Sequence, residues 1–299
     1  KTFRDLGSGF NVKICVRIFM NYFKKVFLKY ENRGIAYVIH YFLKKIGYRT
    51  KYSSFIHKKK SYLDNRIFKL NNGVIKNGIY KSLKLSKEQN WNVGHDTDLS
   101  SKLLGFYEEQ VQKKIVELKK KHNLNYLVNF GAGEGYHAIG LIKNNYFQKC
   151  LCFEIDSKTR KILYDNIVFN KVEDKIKIYN EANFNDVIIN LDEKQLEQTL
   201  FLVDIEGNEF RLFNKKNFNF FKKSFHIIEN HEDIFRDKKL VSEFYEIMNE
   251  NFKNEILHNN ARNPFGIDQL QHLPDDVRWL LMSEGRPCEM NWLIFTPQK

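Results

Sequence analysis

The residues best suited to chemistry lie where an apolar run gives way to glycine or carboxylate. Tyr126-Leu127-Val128-Asn129-Phe130 is followed by Gly131-Ala132-Gly133-Glu134-Gly135 and then by Tyr136-His137-Ala138-Ile139-Gly140. A buried strand that turns through glycines into a helix presents free amide hydrogens and lets a ligand approach the backbone. Glu154 ends the next apolar run, where a carboxylate can accept hydrogen bonds from both hydroxyls of a ribose. Together these features predict a nucleoside-bearing ligand across the carboxyl edge of a parallel sheet. A bare strand-to-helix turn would leave Glu154 a coincidence.

The spacing also discriminates between cofactors. A dinucleotide turn wants G-x-G-x-x-G, whereas here the third glycine, Gly135, comes one position early and Glu134 stands where a pyrophosphate would sit. A carboxylate there repels a diphosphate but suits S-adenosylmethionine, which carries a sulfonium and an ammonium and no phosphate. Asn129, Gly131, Gly133, Glu134, Gly135 and Glu154 are the expected cofactor residues of this region.

A second constellation is Phe201-Leu202-Val203-Asp204-Ile205-Glu206-Gly207-Asn208-Glu209. Asp204 is expected at the end of a strand on the same sheet edge, placed for the amino-acid part of the cofactor or for the acceptor. Glu206-Gly207 turns the chain, and Glu209 reads equally as a helix-start carboxylate or a functional one. The third is Ile227-Ile228-Glu229-Asn230-His231-Glu232-Asp233. Methyl transfer to oxygen or nitrogen needs a lone pair freed of its proton and aligned with the sulfonium carbon. His231 is the best base candidate, with Asp204 and Glu206 beside it; His137, inside the first helix, reads more readily as packing or as a partner for the backbone. These carboxylates could also gather a divalent ion, but sequence fixes no geometry for one and none is expected.

Elements must position these residues. Apolar runs at 126–130, 150–155, 176–179, 200–204, 225–229, 254–258 and 292–296, separated mostly by helical stretches, predict a doubly wound α/β sheet whose last strand returns antiparallel. A helical pattern from Leu99 to Lys121 leads into the first strand. Residues 66–85, with turn signals at Asn71-Asn72-Gly73 and Asn77-Gly78, read as a small hairpin or meander. The segment 259–291, inserted before the last strand, reads as a lid over the acceptor, with Arg262, Arg278 and Arg286 able to meet an anionic substrate.

The net charge of +13 is unevenly placed: residues 1–100 hold 21 Lys or Arg against 6 Asp or Glu, and the remainder holds 28 against 30. The chain therefore divides into a basic N-terminal extension, 1–98, and a nearly neutral catalytic domain, 99–299. Within the extension, Val16, Phe19, Met20, Phe23, Val26, Phe27 and Tyr30 recur at helical spacing among lysines, and a second helix is expected from Ile35 to Lys45. Residues 12–47 could meet an anionic membrane surface peripherally, a second copy of the chain, or the chain's own domain. Nucleic-acid contact is the weaker reading, because lysine is abundant throughout. Cys15, Cys150, Cys152 and Cys288 show no metal or disulfide spacing, and no run of eighteen apolar residues occurs; a reducing, cytoplasmic setting is the expectation.

The motifs carry a family resemblance. Val128 to Tyr136, Phe153-Glu154-Ile155-Asp156, Val203 to Glu209 and Ile228 to His231 together resemble the FkbM-like branch of class I S-adenosylmethionine-dependent methyltransferases, the Asp-x-Glu-Gly-x-Glu element most specifically. The resemblance spans about residues 100–258 and implies a seven-stranded Rossmann-like sheet in the order 3-2-1-4-5-7-6, with methyl transfer to a hydroxyl of a sugar, glycan or other small molecule. It assigns Gly131, Gly133 and Gly135 to the methionine moiety, Glu154 to the ribose, Asn180, Glu181 and Ala182 to the adenine, and Asp204 and Glu206 to the transfer centre. Other classes remain open at this point: a nucleic-acid methyltransferase, or a scaffold that binds cofactor without turnover.

Overall fold

The computed structural model describes residues 51–87, 98–284, 286 and 289–298. The amphipathic helices expected within 12–47, together with Cys15 and Cys288, lie outside the described residues. The chain divides into two compact units, Lys1–Lys58 and Lys59–Lys299. The boundary expected at 98/99 therefore moves: residues 59–87 belong to the unit that holds the sheet, because Ile75, Tyr80, Leu83 and Leu85 are buried in one of its cores.

In chain order the described elements are α1 (Lys51–Asn71), α2 (Leu99–Leu104), α3 (Glu109–His122), β1 (Tyr126–Phe130), α4 (Tyr136–Lys143), β2 (Lys149–Phe153), α5 (Ser157–Asn170), β3 (Ile176–Tyr179), α6 (Phe184–Asn190) and α7 (Glu193–Leu196). They continue as β4 (Thr199–Val203), α8 (Glu209–Leu212), α9 (Phe218–Phe221), β5 (Phe225–Glu229), α10 (Lys238–Asn251), β6 (Phe252–His258), α11 (Asp275–Met282) and β7 (Asn291–Pro297). The sheet has seven strands in the order β3-β2-β1-β4-β5-β7-β6, with β7 antiparallel to both neighbours. This is the Rossmann-like class I methyltransferase fold. Its topology brings the carboxyl ends of β1, β2, β4 and β5 to one edge, where an open α/β sheet takes its ligands.

The central strands read as apolar runs because both of their faces are covered. One face packs α3, α4 and α5 with Leu127, Cys150, Leu200 and Ile227. The other is rich in phenylalanine: Phe130, Phe153, Phe184, Phe201, Phe213, Phe221, Phe244 and Phe252 are all buried there. Cys150 and Cys152 are buried free thiols of β2. Edge strand β6 instead exposes Lys253, Asn254 and Glu255, a charged rim that discourages pairing with another strand.

Three local expectations are corrected. Residues 66–71 finish α1 rather than opening a hairpin, and only an isolated bridge, Val74 to Lys84, pairs the following loop; the turn signals mark the helix end and that loop. The helix expected over Leu99 to Lys121 breaks at Gly105 (φ 89°), which caps α2, and Glu108 (φ 48°) starts α3 in a new direction. The segment 259–291 is no loose lid: Ile267, Leu270, Leu281 and Met282 pack with Leu63, Leu99, Leu103 and Leu104 in a third core. No helix among the described residues is long and apolar enough to cross a membrane.

Candidate functional site

The glycine turn fits its strand closely. Gly131 has φ 78°, and a Cβ added there would lie 1.7 Å from the Asp204 carbonyl oxygen, so no side chain can replace it without moving β1 or β4. Gly133 is also left-handed, at φ 54°. Gly135 (φ 91°) instead admits Leu163 and Ile139 against the backbone, which makes it a packing glycine.

Glu154 directly follows β2 and is half-buried. Its Oε2 accepts the Gly133 N–H at 3.0 Å and its Oε1 the Asp156 N–H at 2.9 Å. Burial raises its pKa above the ordinary carboxylate value, and those two N–H bonds counter it only in part. A cavity of about 870 Å³ opens beside it, lined by Gly131, Glu154, Asn180, Glu181, Ala182, Asp204, Glu206 and Arg211 among others. Most of the expected cofactor residues thus share one cavity. Ile155, which sequence placed inside a strand, is 73% exposed and offers this cavity an apolar surface.

Asn129 and Glu134 do not face that cavity. Asn129 is buried and donates to the Leu202 carbonyl. Glu134 is 3% exposed and paired with Lys102 at 2.5 Å; Lys102 also meets Asp98 at 2.8 Å. Burial alone would lower the Lys102 pKa, but the two carboxylates outweigh it and hold the ammonium charged. Glu134 is therefore already neutralised, and its expected repulsion of a diphosphate gives way to a structural ion pair. Lys102 was missed in the sequence, although its i,i+4 spacing from Asp98 was a readable signal.

Beyond β4 and β5 the side chains form one charged cluster. His231 is 3% exposed. Its Nδ1 donates to Glu209 at 3.0 Å, and its Nε2 faces Glu229 at 3.2 Å, Asp204 at 3.6 Å and Glu206 at 3.8 Å. Burial favours the neutral ring, but the bonds to Glu209 and Glu229 and the charge of Asp204 outweigh it, pushing the pKa up to about 11. An imidazolium cannot accept a proton. In this structure the ring organises carboxylates, and the base role expected for His231 would need it neutral.

Asp204 follows β4. Burial and the neighbouring Glu229 carboxylate push its pKa well up, against the pull of His231. Its side chain keeps 29% of its surface open, but Oδ1 is sealed and lacks a hydrogen bond. Glu229 goes the other way: burial would raise it, but the His231 bond and Arg286 hold it down at about 2. Glu206 is the exposed member. Glu209 is 1% exposed and also accepts the Gly207 N–H, so both of its oxygens serve structure. Asp204, Glu206 and His231 are the only described residues whose ligand atoms cluster within 4.8 Å of one another as a metal site requires.

Arg286 was expected to reach an anionic substrate. Its guanidinium instead binds Glu108 and Glu229, with Nε on Glu284 at 2.7 Å. Arg262 pairs with Glu284 at 2.6 Å, and Arg278 donates to the Leu273 and Gln271 carbonyls. All three cations are thus engaged within the protein. Glu108 also lies 2.8 Å from His137 Nε2, whose Nδ1 is 2.9 Å from the Tyr80 hydroxyl. His137 is held by side chains, not by the backbone.

No protein-family profile matches the chain, and no curated protein matches it in sequence. Among solved structures it is similar to the O-methyltransferase TomG from Streptomyces achromogenes, in complex with SAM (10% identity, 64% of this chain and 82% of that one, TM-score 0.44). It is also similar to cofactor-bound Rv0187 from MTB (12% identity, 70% and 93%, TM-score 0.44). A third similar structure is the B. subtilis M1A22 tRNA methyltransferase TrmK (7% identity, 62% and 65%, TM-score 0.41). At such identities and TM-scores none of the three assigns an activity to this chain.

Proposed function

We propose that the chain is an S-adenosylmethionine-dependent methyltransferase that methylates a hydroxyl of a small-molecule or glycan acceptor. The observation that carries the cofactor is the charge of the large cavity: its lining holds Glu154, Asp156, Glu181, Asp204 and Glu206 against the single guanidinium of Arg211. Such a wall repels a pyrophosphate and attracts a sulfonium. Glu154 exchanges its backbone partners for the ribose hydroxyls, Ile155 covers one face of the adenine, and Asn180 to Ala182 border it. The hydroxyl acceptor rests on the resemblance of residues 203–209 and 228–231 to the FkbM-like branch.

In the transfer, an acceptor oxygen forms a bond to the methyl carbon while the carbon–sulfur bond breaks and its electron pair stays on sulfur. The acceptor proton passes to a carboxylate, and Glu206 is the cluster member open to solvent. His231 holds Asp204, Glu209 and Glu229 in place, so catalysis here is chiefly placement in a fixed field.

Calorimetry with S-adenosylhomocysteine and with NAD tests the cofactor: the first should bind and the second should not, and binding of NAD alone defeats the reading. Methyl transfer from labelled cofactor to hydroxyl acceptors, and not to RNA, tests the acceptor class.

A further inference from the structure

Charge is segregated on the stretch that runs from the second half of α1 toward α2. Residues 65–87 hold Arg66, Lys69, Lys76, Lys81, Lys84 and Lys87 and no Asp or Glu. All six cations are exposed, and none forms an ion pair among the described residues. Residues 101–299, by contrast, mix 28 Lys or Arg with 30 Asp or Glu. A run of one sign on the surface is therefore more than the general abundance of lysine.

Apolar side chains that no core claims are interleaved with these cations. Tyr62, Arg66 and Leu70 recur at four-residue spacing along α1, all exposed, Leu70 by 65%. Folding joins this helix to the end of α5. The Phe68 carbonyl accepts the Gly73 N–H, the Gly73 carbonyl accepts the Leu85 N–H at 2.9 Å, and Val74 bridges to Lys84. Asn170, the last residue of α5, accepts the Lys84 N–H at 2.9 Å, donates to the Lys84 carbonyl at 2.7 Å and accepts from Lys143 Nζ at 3.1 Å. Beside that joint Val168 and Phe169 are exposed, and Lys84 Nζ lies 5.7 Å from the Phe169 ring centroid. Burial and then the charge of Lys171, which caps α5, lower the pKa of Lys143, so the cations crowd one another here.

Cations interleaved with exposed apolar side chains suit the boundary between lipid headgroups and acyl chains. A nucleic acid draws its affinity from phosphate contacts and base stacking, to which the aliphatic Leu70 and Val168 add nothing. We infer that the surface formed by residues 66–84 and the end of α5 docks on an anionic phospholipid bilayer. It uses none of residues 12–47 and none of the residues that line the large cavity, so it stands apart from the cofactor reading.

The test is co-sedimentation of the full chain with vesicles of phosphatidylcholine alone and of equal parts phosphatidylcholine and phosphatidylserine. Binding should be confined to the anionic vesicles. A cation near such a surface is worth about fivefold in partitioning, so the combined change Lys76→Glu, Lys81→Glu and Lys84→Glu should weaken binding about a hundredfold. Phe169→Ser leaves every charge in place and should weaken it about tenfold, the share of one inserted ring. Equal binding to both vesicles, or binding to neither, overturns the inference. A triple variant that binds as the unaltered chain does overturns it as well and moves the contact to another part of the chain. If the triple variant fails to fold, Phe169→Ser decides, and an unaltered affinity there overturns the proposal. An RNA duplex that binds more tightly than the anionic vesicles, and loses its hold on the triple variant, makes this a nucleic-acid surface instead.

Discussion

The two ends of the ligand-binding edge are built in different ways. At the β1–β2 end, backbone does the work: Gly131 lies against the Asp204 carbonyl, and Glu154 holds the N–H groups of Gly133 and Asp156. At the β4–β5–β7 end, shape comes from side-chain charge. Glu108, Glu229 and Glu284 converge on Arg286, and Glu209, Glu229 and Asp204 surround His231. A backbone site fails when one atom is added, and a charge cluster fails when one charge is removed.

The largest effect should come from Gly131→Ala. A carbon 1.7 Å from a carbonyl oxygen, at a φ that L-residues disfavour, should cost on the order of 4 kcal/mol or more and abolish cofactor binding. Denaturant unfolding checks it, and a loss below about 1 kcal/mol would mean that β1 and β4 separate freely. Next is Arg286→Leu, which takes the shared cation from three carboxylates at the opposite end and leaves Glu284 to Arg262, Glu229 to His231 and Glu108 to His137. About 3–5 kcal/mol of destabilisation is expected, and a near-neutral result in the same unfolding experiment would show that the cluster is held by something else.

Glu154→Ala should matter less for folding than for binding. A loss of about 1–2 kcal/mol in S-adenosylhomocysteine affinity is expected, because the ribose bonds replace bonds the carboxylate already makes; an unaltered affinity by calorimetry would remove Glu154 from the site. The smallest effect is in pH dependence. With the His231 pKa raised from 6.5 to about 11, the stability it adds is complete below about pH 6.5 and is lost as pH climbs toward 11. Thermal midpoints of the unaltered chain should therefore fall over that range more steeply than those of His231→Gln. Parallel curves would mean that His231 is not an imidazolium in the folded state.

The same contrast explains what the sequence disclosed. The apolar runs and the glycine turn are local patterns, so all seven strands lie within two residues of their expected bounds at either end, and most of the expected cofactor residues line one cavity. The Arg286 cluster joins residues 57 and 178 positions apart, and no periodicity or motif links such pairs. His231 was placed correctly at the edge after β5, but its protonation depends on Glu209, Glu229 and Asp204 meeting around it, which only the folded chain reveals. Residues 259–291 looked like a lid because their arginines stood out, whereas the decisive residues were Ile267, Leu270, Leu281 and Met282, which pack with α1 and α2.

Glu108 turns the chain between α2 and α3 in a left-handed conformation, φ 48°, that costs a side-chain-bearing residue roughly 1–2 kcal/mol. Its carboxylate is gripped by Arg286 and by His137, so the corner behaves as a sprung catch: the backbone pushes toward release and the ion pairs keep it shut. Arg286 precedes β7, and His137 lies in the first turn of the helix after the glycines, so the catch ties three remote stretches of chain together. The hold on all three stretches is therefore concentrated in one carboxylate.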